Sequence, residues 1–214
     1  MKFAIALLLL LAPAAPAEIV DRVAVAVGRQ VITLSQIHTE VRVTAFIEGQ
    51  KVDLDAMRQK ATSRLIDQTL IRKEIEITRF PTPKPEELEP LLKQVKNLYG
   101  PRYGGALKEY ELTEDEVKQH LLWQLTFLRF VQYRFQPGVQ VTEAELQDEF
   151  ATQTKALKDA GRPAQTFEQM RTDLETLVTQ KHVDEALERW LAEQRTQTSI
   201  IYRLRGIALG RDRE

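Results

Sequence analysis

Residues 150–167 read FATQTKALKDAGRPAQTF, a polar passage between two segments of strong helical periodicity. Its reading decides the fold, because it either holds a functional unit of its own or only joins two helices. Thr142 with Glu145, and Thr166 with Gln169, have the spacing of capping boxes. In such a box a hydroxyl accepts from the third helical N–H while the third side chain accepts from the cap's own N–H. Each box starts one of the last two helices, so the passage is the join between them, a linker at residues 160–166.

Downstream of the join, Phe167, Met170, Leu174 and Leu177 keep one helical register and Leu187, Trp190 and Leu191 another, which predicts one helix to about Arg195. SIIYRLRGIAL, from Ser199, returns to β character. The chain opens with IVDRVAVAVGRQVITLS, where Val23, Val25 and Val27 alternate, Gly28-Arg29 interrupts, and Val31 and Leu34 follow. That is the pattern of a β-hairpin. An isolated hairpin is marginal in water, so the last strand is expected to pair with it and complete a small sheet. The fold class predicted is mostly α with a small β-sheet, the two ends stitched together across one domain.

Between the ends, Ser35 sits where an N-cap is expected, Ile37, Val41 and Ala45 follow at helical spacing, and Gly49 is the C-cap candidate. A second helix over residues 54–79 is predicted to bury Leu65, Ile66, Thr69, Leu70, Lys73 and Ile77 and to stop at Pro81 and Pro83. A third opens with Pro85, and Glu86 and Glu87 suit the positive end of its dipole. Pro90 predicts a kink or a delayed start. NLYGPRYGGALKEYELTEDE gathers three of the nine glycines with Tyr99, Tyr103 and Tyr110, which predicts a tight turn and a short helix. Thr113 and Glu116 form another capping box. The helix behind it carries Val117, Leu121, Leu125, Leu128 and Phe135 on one face and Leu122, Trp123, Phe127, Phe130 and Tyr133 on a second. A helix apolar around most of its circumference is buried on several sides or meets another apolar partner.

The first residues, MKFAIALLLLLAPAAPAEIV, place one Lys before an apolar run and small residues after it, the pattern of a secretory signal peptide at residues 1–17. The run is about half of the ~20 residues that span a bilayer, so stable membrane insertion is not expected. Export without any Cys points to the periplasm. A net charge of −1 and a pI near 6.4 offer no long-range attraction to phosphate backbones, which argues against a nucleic-acid partner. His38, His120 and His182 lie in separate predicted helices and form no zinc pattern, so neither a metal nor another cofactor is expected. The clusters Glu86-Glu87-Glu89 and Glu114-Asp115-Glu116 lie in first helical turns, where the dipole accounts for them. No nucleophile or phosphate-loop motif is present in the sequence.

The order of these elements resembles the SurA-like periplasmic chaperones, relatives of the parvulin-type foldases. EIVDRVAVAVGRQVITLSQI is similar to that family's opening hairpin and first helix, and SRLIDQTLIRKEIE to its second helix. GGALKEYELTEDEVKQHLLWQLTFLRFV resembles its short and long middle helices, and TFEQMRTDLETLVTQKHVDEALERWLAEQRTQTSIIYR its closing helix and strand. The resemblance implies an N-terminal chaperone module at residues 18–159, completed by residues 167–205 and followed by a tail at 206–214. The linker stands where such proteins insert an isomerase domain. It further implies an ATP-independent holdase with no catalytic residues, whose partners are unfolded polypeptides such as outer-membrane protein precursors.

A holdase needs exposed apolar area. Trp123, Phe127 and Phe130, spaced +4 and +3, are the candidate peptide-binding stripe, with Tyr99 and Tyr103 as a second wall. The same spacing also suits a stripe buried against the closing helix. Two other readings stay open, a degenerate peptidyl-prolyl isomerase and an adaptor for one folded partner, and a domain-swapped homodimer is compatible with a module split between the two ends.

Overall fold

The structure, a computed structural model, describes residues 21–163 and 165–204. The expected leader at 1–17 and tail at 206–214 lie outside the described residues. Strand β1 (Val23–Val27) turns through Gly28, whose φ of +57° suits a residue without a Cβ, into β2 (Gln30–Thr33). A third strand, β3 (Ile200–Tyr202), adds to the other side of β1, giving an antiparallel sheet in the order β2-β1-β3. Val25 faces Tyr202 and Val27 faces Ile200 across the second pairing. The pairing of the last strand with the first hairpin is therefore as the sequence predicts. It lets β1 bury Ala24, Val25 and Val27 over a core shared with Ile32, Ile37, Val41, Ala61, Ile66 and Leu70.

Helix α1 (Leu34–Glu48) leaves β2 without a connecting turn and ends at Gly49 in the left-handed conformation, as expected. Its cap is Thr33 rather than the expected Ser35. Thr33 is still extended, with φ −95° and ψ 164°, and its hydroxyl accepts from the Gln36 N–H while the Gln36 side chain accepts from the Thr33 N–H at 2.9 Å. Ser35 already lies inside the first turn, where its hydroxyl donates to the Asp21 carboxylate. That hydrogen bond is the main reason the Asp21 pKa lies below its ordinary value.

Helix α2 (Leu54–Thr78) buries Ala61, Thr62, Ile66, Leu70, Ile71 and Ile75. The predicted stripe is right at Ile66 and Leu70 and wrong at its end, where Lys73 and Ile77 are exposed. The first half of α2 packs under the sheet, whereas Ile71 and Ile75 join Trp123 and Phe130 in a different cluster. The buried line therefore turns around the helix between two partners. A 3₁₀ turn at Pro85–Leu88 precedes α3 (Glu89–Tyr99), which puts Pro90 in a first turn and realises the delayed start. Another short turn leads to α4 (Tyr103–Glu109). The three predicted capping boxes at Thr113, Thr142 and Thr166 then open α5 (Glu114–Phe135), α6 (Glu143–Asp159) and α7 (Phe167–Gln197). Residues 150–159 complete α6, and Phe150 meets Phe167 edge-on at 5.5 Å across the join.

Candidate functional site

The five residues singled out in the sequence fall into two clusters. Trp123, Phe127 and Phe130 share one with Ile71, Ile75 and Phe80, whose ring stands edge-on to Phe130 at 5.6 Å. Phe130 has no exposed surface, Trp123 retains 8%, and Phe127 is half-buried between Trp123 and the side chains of α7. Tyr99 and Tyr103 belong to the other cluster, around the enclosed Phe46. Tyr99 stacks on Phe46 at 4.5 Å and donates its hydroxyl to the Phe46 carbonyl at 2.6 Å. Burial, first, and the neighbouring Tyr110 push the Tyr99 pKa well above its ordinary value. Tyr103 tilts against the same ring at 5.9 Å. In this conformation Phe130 is core, and the two tyrosines shape a packed corner.

Trp123 alone of the five lines an open crevice of about 780 Å³ between the hairpin, α1, α2 and the first half of α5. Ile32, Val43, Leu65 and Leu70 share its apolar lining. Gln30, Val31 and Ile32 all line it as well, although consecutive strand residues point to opposite faces. The crevice must therefore reach the edge of β2. That edge is the outer one of the sheet, so its backbone groups have no partner strand among the described residues. Val31 is 52% exposed there.

One buried carboxylate organises the inner wall. Glu40 of α1 is only 6% exposed and accepts from Arg64 Nη1 of α2 at 3.1 Å, while His120 Nδ1 of α5 lies 3.4 Å from its other oxygen. Arg64 also donates to Thr44 at 2.7 Å. Burial pulls the Glu40 pKa upward and is the largest single influence, but His120 and Arg64 together outweigh it and hold the pKa below its ordinary value. Three helices are thus tied at one point. Farther along α2, Arg72 places its guanidinium 4.1 Å from the centre of the Trp123 ring, a cation–π contact at the crevice.

Glu40, Arg64, Arg72 and the role of His120 were not found from the sequence. A signal existed: Glu40 lies three residues after Ile37, on the face that also carries Val41 and Thr44, where an acid is costly unless paired. Its partner His120 is eighty positions away and nothing local links the two. Among the described residues no group of His, Asp and Glu is arranged to hold a metal ion, and no helix there is long and apolar enough to cross a membrane. No protein-family model and no curated protein matches the chain.

Proposed function

We propose that this protein is an ATP-independent periplasmic holdase that binds extended, partly apolar segments of unfolded envelope proteins, outer-membrane precursors among them. The observation that carries the reading is the crevice: about 780 Å³, apolar at Trp123, Leu65 and Leu70, and continuous with a strand edge that has no partner among the described residues. An extended segment can satisfy its backbone on such an edge and place alternate side chains in the hollow beside it. The resemblance to SurA-like chaperones and the exported pattern of the first residues support the same reading and its location. Binding acts by mass action, lowering the free concentration of aggregation-prone chains. Affinity is modest, since a groove that accepts many sequences gives up close complementarity. The proposal includes no reaction, cofactor, nucleic acid or bilayer insertion.

The test is to dilute a denatured β-barrel precursor with and without the protein and to follow light scattering. Scattering suppressed at near-stoichiometric protein supports the holdase. Unchanged scattering overturns it, and a pull-down that returned one folded protein would then favour the adaptor. Accelerated cis/trans exchange in a proline peptide would instead favour the isomerase.

A further inference from the structure

The crevice contains more than apolar surface, and its charges are unequally committed. Of the acids along it, Glu40 is already held by Arg64 and His120. Glu116 accepts the Thr113 N–H at 2.7 Å and the Thr113 hydroxyl at 2.8 Å, both on Oε2, so one of its carboxylate oxygens is occupied in capping α5. Glu76 is the remaining acid in the lining. The lining also holds three cations, Arg29, Arg72 and Lys73, none of which makes a salt bridge or a side-chain hydrogen bond among the described residues, although the charges of Glu40 and Glu76 are felt at Arg72. Arg72 is positioned by its contact with Trp123, yet its five N–H donors have no acceptor there. A guanidinium held against a ring at the wall of a groove, with no acceptor for its donors among the described residues, is arranged for a planar oxyanion that takes two of them at once.

We infer that the crevice selects polypeptide segments that carry a carboxylate, which pairs with Arg72 and Lys73 beside the Trp123 ring while the segment's backbone lies along β2. The inference rests on the reading of the crevice as the client site and adds a substrate preference to it. The carboxylate has two sources, an Asp or Glu side chain or the C-terminal end of a chain. A segment carrying Lys at the same place brings a third positive charge beside Arg72 and Lys73 and is disfavoured.

The experiment titrates four short peptides of one extended, partly apolar sequence into the full chain carrying Trp190→Phe, so that Trp123 reports alone. Three peptides are capped at both ends and carry Glu, Gln or Lys at one position; the fourth is the Gln peptide with a free C-terminus. The Glu peptide is expected to bind on the order of tenfold more tightly than the Gln peptide, the size of one charge-assisted hydrogen-bonded contact. The Lys peptide is expected to be the weakest, and added salt narrows the spread. A gain by the fourth peptide assigns the end carboxylate as a further ligand; no gain restricts the preference to side chains. Combining Arg72→Gln with Lys73→Gln should abolish the Glu-to-Gln ratio, and Lys73→Glu should reduce or invert it. Equal affinities for the Glu and Gln peptides, or a ratio that survives the double substitution, overturn the preference while leaving the holdase intact. If none of the peptides binds, the client reading fails and the preference with it.

Discussion

The two halves of α5 are covered in different ways. In the second half, residues 127–135, Phe130 and Phe135 are enclosed by Ile71, Ile75 and Phe80 on one side and by Val183, Leu187 and Trp190 of α7 on the other. In the first half, residues 116–123, Val117 and Leu121 face inward to the Phe46 cluster, while Glu116, Gln119, His120 and Trp123 line the crevice. Large apolar side chains within reach of one another bury one another, because each contact removes surface from water. A hollow persists where part of the wall is polar, since charged groups there keep access to water or to a partner. Neighbours on α2 and α7, not aromatic density alone, therefore decide where the helix is closed over: Phe130 and Phe135 are enclosed, whereas Tyr133 on the same half is 67% exposed. The open crevice lies where polar residues interrupt the stripe.

The contrast can be broken most severely at Phe130. Phe130→Ala empties a site with no exposed surface and should destabilise the fold by about 3–5 kcal/mol in chemical denaturation. The fraction that remains folded should bind clients as before, because Phe130 does not line the crevice. Next is Glu40→Ala, which strips the buried anion from Arg64 and His120. A loss of about 2–3 kcal/mol is expected, below the ~3–5 kcal/mol of fully buried pairs because Arg64 reaches water. Here, unlike at Phe130, client binding by the folded fraction should also weaken, since the carboxylate ties three walls of the crevice.

Smaller again is Thr113→Ala. It removes the capping box at the crevice end of α5 and should cost ~1 kcal/mol, read as a lower thermal midpoint. The smallest effect is the acid dependence. Glu40 has a folded pKa below its ordinary 4.5, so the stability it contributes is present above about that pH and is lost as the pH falls through the lowered value. Unfolding free energy measured against pH should drop in this window and drop less in Glu40→Gln. Glu87, held at about 2 by its hydrogen bonds with Arg129 and the Lys84 N–H, keeps its contribution to lower pH still.

What the sequence made legible was local. The capping boxes at Thr113, Thr142 and Thr166 and the Gly49 C-cap each place signal and effect within a few residues, and the strand pattern at both ends foretold the sheet. The cap at Thr33 was missed because Thr33 and Ser35 both offer a hydroxyl near a helix start, and only the strand running directly into the helix decides between them. The end of α2 was misread because periodicity assumes one partner along a helix, whereas α2 changes partner after Leu70. The candidate site was legible at Trp123. The rest of it depends on which side of a stripe α7 covers and on the meeting of Glu40 with His120, and neither has a local signature.

The most direct test of the account places a photo-crosslinking side chain at Gln119, which lines the crevice, or at Leu128, which is exposed on the second half of α5. Each protein is irradiated with an unfolded β-barrel precursor. A crosslinked product is expected from Gln119 and little or none from Leu128. A strong product from Leu128 with Gln119 blank would contradict it.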